Sequence, residues 1–242
     1  MDEILHNLKH IVSRIEKACA MSGRAVEEVK LLLATKTVSA QRIKTALNAG
    51  QQLIGENKIQ EIKEKYEELK EVSHVMHFIG HLQSNKIKDV LKYNVNCIQS
   101  LDRWELAEKL QQRLELEQKE IDVMIQVNTS AEESKFGVEP DKALELTRKV
   151  AELKNMRIKG LMTIGLFSAE PEKIRSCFRL LKNIQKQIIA ENISGVEMNE
   201  LSMGMSGDLE MAIEEGATIV RVGTAIFGKR IYSDNYYWNE GQ

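Results

Sequence analysis

Eight short β-rich runs, each closed by glycine or polar residues and followed by a helical pattern or the end of the series, succeed one another along the chain. They are "VKLLLAT", "QLIGEN", "VMHFIG", "VNCIQS", "IDVMIQVN", "RIKGLMTIG", "EMNELSMG" and "TIVRVGT". Helical stretches separate them near 40–49, 57–70, 83–92, 102–117, 140–155, 171–191 and 206–215. In the stretch from 171, Ile174, Cys177, Phe178, Leu181, Ile184 and Ile188 keep the helical period while lysines and glutamines fill the other side. Regular alternation of this kind demands a mostly parallel sheet covered by helices, an α/β fold. Eight units with no Gly/Ser-rich linker or break in composition match a closed (β/α)8 barrel of the TIM type, one domain over residues 1–242. An open doubly wound sheet is the alternative, because periodicity does not show closure.

Ahead of the first run, Ile4, Leu5, Leu8, Ile11, Val12, Ile15, Ala18 and Cys19 recur at spacings of three and four, the stripe of an additional N-terminal helix. The chain's two prolines, Pro140 and Pro171, stand at helix starts, where a missing N–H is harmless. A formal net charge of -2 gives no electrostatic footprint of a nucleic-acid binder. No apolar run approaches the roughly 18 residues of a membrane span, and "MDEILHNLKH" lacks the form of a secretory leader. Cys19, Cys97 and Cys177 are odd in number and far apart, which suits a reducing compartment. The expectation is a cytoplasmic protein, in which the glycosylation-like triplets at Asn128 and Asn192 carry no weight.

Barrels of this type gather functional groups at the C-terminal ends of their strands. Lys36 closes the first run and shares strand parity with Leu32 and Ala34, which aims it into the barrel mouth. Desolvation there lowers an amine's pKa and makes it a Schiff-base nucleophile; a lysine that snorkels to water or pairs with Glu56 is the plainer alternative. Lys159 is a rival, yet it comes early in its run and so lies near the opposite rim. "LSMGMSGDLEMAI" ends a strand and opens a helix with hydroxyls and backbone N–H groups, and "VRVGTAIFG" adds Gly223 and Thr224. Loops after the seventh and eighth strands are where such barrels often hold phosphate, which favours a phosphate site over two ordinary turns. Arg221 shares parity with Ile219 and Gly223, so its guanidinium points inward toward either a core acceptor or a ligand. His77 and His81 are four apart but lack the HExxH pattern of a helical zinc site, and no metal site is expected.

Taken together, "LLLATKT", "IGENKIQE", "HFIGHLQSNK", "GLMTIG" and "ELSMGMSGDLEMAIEEGATIVRVGTAIFG" closely resemble the pyridoxal phosphate homeostasis protein family, relatives of the alanine racemase N-terminal barrel domain. The resemblance spans essentially the whole chain. It implies pyridoxal 5'-phosphate held as a Schiff base on Lys36, with a part in vitamin B6 homeostasis rather than robust turnover. Ser202, Ser206, Gly223 and Thr224 would hold the phosphate, Arg221 would face the pyridine nitrogen, and Asn57 would lie beside the ring. A donor at that nitrogen disfavours its protonation and mutes the ring as an electron sink. PLP-dependent apo-enzymes are the partners this role implies. His81 is characteristic of the family but takes no assigned role, and the proline often found after the family's lysine is missing from "KTVSA".

Compared with alanine racemases, the chain ends soon after the eighth run, so the β domain that completes their dimeric site is expected to be absent and the protein to be a monomer. Two-base racemisation needs an acid/base group on each face of the α-carbon, and one lysine serves one face. A low-activity racemase using the same cofactor and a cofactor-free Schiff-base aldolase-like barrel are the competing functions.

Overall fold

The computed structural model describes residues 2–132, 135–166 and 168–228. Eight parallel strands close on themselves in chain order. They are β1 (Lys30–Ala34), β2 (Leu53–Glu56), β3 (Val75–Phe78), β4 (Cys97–Leu101), β5 (Ile121–Gln126), β6 (Met156–Met162), β7 (Val196–Ser202) and β8 (Ile219–Val222). Pairing of β8 with β1, Leu32 opposite Arg221, completes the ring, so the expected barrel forms and the open sheet does not.

Strand parity divides the side chains. Leu33, Ile54, Ile98, Val123, Leu161 and Val220 turn outward into the large layer shared with the helices, whereas Leu32, Cys97, Met124, Met162 and Ile219 fill the barrel's middle with Ala34 against them. The covering helices are α2 (Ala40–Leu47), α3 (Ile59–Leu69), α4 (Ile87–Lys92), α5 (Trp104–Glu117), α6 (Ala143–Ala151), α7 (Pro171–Ala190), α8 (Leu209–Glu214) and the single turn α9 (Thr224–Phe227), preceded by α1 (Asp2–Met21). α1 buries Ile4, Leu8, Ile11, Ile15, Ala18 and Cys19, the stripe its spacing predicts.

Most departures from the expected boundaries lie at helix starts. α8 begins at Leu209, not near 206, because the Asp208 carboxylate accepts the Met205 N–H at 2.6 Å and holds Ser206–Asp208 as a turn. Pro140 opens a short 3-10 turn (Pro140–Lys142) before α6, whereas Pro171 is the first residue of α7 itself. β1 stops at Ala34, so Lys36 stands in a turn two residues beyond the strand. The three cysteines are buried and free, and no helix among the described residues is long and apolar enough to cross a membrane.

Candidate functional site

Lys36 is only 8% exposed, at the C-terminal end of β1. The turn that carries it is fixed from outside the barrel. Outward parity takes Thr35 and Glu56 to the same side of the sheet, where the Thr35 hydroxyl donates to Glu56 Oε1 at 2.7 Å. From α3, the Lys65 ammonium donates to that same oxygen at 2.8 Å and to the Thr35 carbonyl at 2.9 Å. It also donates to Glu61 Oε2 at 2.8 Å, and that carboxylate accepts the Thr37 N–H at 2.5 Å. Thr37 has a φ of 63°, a region that β-branched residues rarely enter. Such a conformation costs about 1–3 kcal/mol and persists where surrounding contacts over-determine it; here the clamp from α3 does so. Glu56 thus pairs with Lys65, and burial pushes its carboxyl up to about 7 despite that cation. Its Oε2 is buried with no hydrogen-bond partner.

Across the β8–β1 seam, Gly223 packs directly on this end of β1. A Cβ at Gly223 would come within 2.8 Å of the Ala34 carbonyl oxygen, so only glycine allows the approach. The next residue, Thr224, starts α9, and its hydroxyl lies 3.4 Å from that of Ser206 in the turn before α8. First-turn N–H groups of helices have no acceptor within the helix. The first turn of α9 and the two hydroxyls therefore lie beside the end of β1 that leads into the Lys36 turn, and the space around Gly207 is open, with no atom beyond its chain neighbours within 4 Å of where its Cβ would stand. Arg14 of α1 braces this loop, donating to the Ser206 carbonyl at 3.1 Å while it pairs with Glu210 at 2.6 Å.

Arg221 lies deeper, level with Leu32. One terminal nitrogen donates to Ser202 Oγ at 2.8 Å and the other to the Thr163 carbonyl at 2.7 Å. Burial pulls its pKa down to about 10, with Asp208 acting in the opposite direction, so it stays charged at neutral pH. The two hydrogen bonds fix the plane of the guanidinium and leave its remaining N–H groups for a ligand.

Lys36, Ser206, Gly223 and Thr224 lie at the C-terminal end of the barrel, with Arg221 in the layer below them. Ser202 differs: its hydroxyl is fully buried between Arg221 and Gln99, to which it donates at 2.6 Å, and stands apart from the Ser206–Thr224 pair. Asn57 is buried just beyond β2, and its backbone presses so close to Gly80 that a Cβ there would lie 2.0 Å from the Asn57 oxygen. The segments "GEN" and "GHLQSNK" are thereby packed together. His81 stacks on Phe136 at 3.8 Å between ring centres, with Asp102 at 3.6 Å from its Nδ1. Lys159, the rival lysine, pairs with Glu197. Sequence reasoning missed Arg14, Lys65, Gln99 and Thr163, and it named Glu56 only as a possible partner of Lys36; a polar residue on inward strand parity, as Gln99 is with Cys97, was the one available signal.

Buried amine, oriented guanidinium and a hydroxyl-and-amide cradle suit an aldehyde-bearing phosphate ester with a ring acceptor. Comparison with known proteins leads to the same class. Residues 1–231 match the family model described as alanine racemase, N-terminal domain, so the chain is a barrel of that class. A pyridoxal phosphate homeostasis protein of Aquifex aeolicus is 45% identical over 93% of this chain and 97% of its own length. Among solved structures, a protein of unknown function from Bifidobacterium adolescentis superposes with a TM-score of 0.88 at 39% identity, covering 93% of this chain and 95% of that one. PipY of Synechococcus elongatus, solved with PLP bound, gives a TM-score of 0.78 at 29% identity over 89% of this chain and all of the other (100%). The chain belongs to the pyridoxal phosphate homeostasis protein family.

Proposed function

We propose that this protein binds pyridoxal 5'-phosphate, that Lys36 forms a Schiff base with its aldehyde, and that it serves vitamin B6 homeostasis by holding the cofactor for PLP-dependent apo-enzymes. The observation that carries this reading is the contact of Gly223 with Ala34, which sets the Ser206–Thr224 hydroxyl pair beside the turn that presents Lys36. When bound, the cofactor supplies an aldehyde and an electron-withdrawing ring. Ser206 and Thr224 grip the phosphate with their hydroxyls, and Gly223 lets the backbone approach it closely. Asn57 lines the ring edge. Arg221, held by Ser202 and Thr163, donates to the pyridine nitrogen; being charged, it keeps that nitrogen unprotonated and limits carbanion chemistry. Ser202 in this reading acts through Arg221 and not on the phosphate.

The reading includes a monomeric, cytoplasmic protein without robust turnover; three free, buried thiols fit a reducing compartment. Dialysis of the PLP-loaded protein tests it. Wild type should retain the cofactor and Lys36→Ala should lose it, and neither should exchange amino-acid α-protons above a heat-killed control. Equal retention by the two proteins would refute the lysine assignment, and clear exchange by wild type would refute the carrier role in favour of a racemase.

A further inference from the structure

The contacts of Arg221 continue past Ser202. Arg221 donates to Ser202 Oγ at 2.8 Å, Ser202 Oγ lies 2.6 Å from Gln99 Oε1, and Gln99 Nε2 lies 2.7 Å from His77 Nδ1. β8, β7, β4 and β3 each contribute one member, so the chain crosses the barrel's interior from the site to its floor. Every direction follows from the first if each buried polar hydrogen is to have an acceptor. A guanidinium only donates, so Ser202 accepts and its own hydrogen is free for the Gln99 carbonyl. The Gln99 amide NH2 then faces His77, whose Nδ1 must be bare and whose proton must sit on Nε2. All members are buried, where an aligned chain of hydrogen bonds strengthens its own links and a misaligned one leaves an unpaired polar atom.

We propose that Gln99 and His77 are positioning residues for the ring contact: through Ser202 they fix the plane in which Arg221 offers its free N–H groups to the cofactor. The proposal rests on the reading of Arg221 as the pyridine contact. It requires His77 to be neutral. A proton on Nδ1 would oblige the Gln99 amide to turn over, Ser202 would then accept from both neighbours, and its hydroxyl hydrogen would have no acceptor. The floor of the barrel suits the neutral form. Burial, and then the Lys30 ammonium, pull the His77 pKa down to about 4, with Asp122 opposing. Gly55 of β2 and the Cys97 thiol of β4, itself held protonated by burial, are its register neighbours.

Two measurements separate the relay from the ligand assignment. In the cofactor-free protein, 15N-histidine NMR should show His77 neutral with a bare Nδ1 across pH 5.5 to 8. Gln99→Glu, whose ionised carboxylate can accept from Ser202 but cannot donate to His77, should place a proton on that Nδ1 at neutral pH. In the PLP-loaded protein, Ser202→Ala and Gln99→Leu should each weaken retention about tenfold, the size of one buried hydrogen bond. Both should also move the pH midpoint of the cofactor's absorbance change in the same direction. A wild-type His77 with its proton on Nδ1 would overturn the relay whatever the cofactor does. Unchanged retention and midpoint in Ser202→Ala would overturn its role in positioning, even if Gln99→Leu failed to fold. Wild type that takes up no PLP would instead defeat the ligand reading, while the NMR result would still decide the relay's direction.

Discussion

At the scale of single residues, the site depends on groups held in states they would not choose in water. Thr37 keeps a left-handed backbone beside Lys36, Glu56 is buried with one oxygen unpaired, and His77 is kept neutral. The His77 shift has a stability consequence with a definite sign. Its pKa falls from 6.5 unfolded to about 4 folded, so its contribution is fully present above pH 6.5 and is lost as pH falls toward 4. The unfolded chain takes up the proton first. Wild type should therefore lose up to about 3 kcal/mol over that window relative to a variant lacking the imidazole. Urea titrations of wild type and His77→Gln at pH 7 and pH 5 measure it; an unchanged difference would contradict the buried, neutral histidine. Lys36 and Arg221 were legible in the sequence because a cation on inward parity at a strand end is conspicuous. Gln99 and Thr163 were not, since an uncharged residue in a strand or just past its end gives no hint of its partner: Gln99 meets Ser202 across 103 positions of sequence.

Among elements, two helices outside the barrel set the geometry inside it. α3 sends Lys65 and Glu61 to the turn carrying Lys36. Lys65→Met would leave Glu56 buried without its cation, and removal of one partner of such a pair costs about 3–5 kcal/mol. The midpoint of urea unfolding should fall accordingly, and pairing it with Glu56→Gln should recover part of the loss. α1 sends Arg14 to the Ser206 carbonyl and Asn7 to the Ile226 carbonyl at 3.1 Å, bracing the turn before α8 and the end of α9. Arg14→Ala should lower affinity for PLP about three- to tenfold while leaving pyridoxal, which has no phosphate, nearly unaffected. Equal losses for both ligands would show that the brace does not act on the phosphate loop. The amphipathic stripe of α1 was readable from spacing, but Arg14 looked like any solvated cation because its partner Glu210 is 196 positions away.

For the whole molecule, the eightfold alternation of strand and helix was enough to specify an α/β fold of eight units and to favour a barrel, since each unit obeys a local period that a single sequence displays. Closure and register were not displayed. They depend on β8 meeting β1 and on glycines that let backbones touch, as Gly80 touches Asn57. Gly80→Ala would drive a Cβ into that backbone, 2.0 Å from the oxygen, and should cost well over about 3 kcal/mol, a loss visible in the thermal midpoint. Barrel closure also explains how residues from the first and last strands share one site. The most direct test of that shared site is borohydride reduction of the PLP-loaded protein followed by peptide mass mapping. The visible absorption band should collapse and pyridoxyl-phosphate mass should appear on Lys36. Label on another lysine, or no band after incubation with excess PLP, would contradict it.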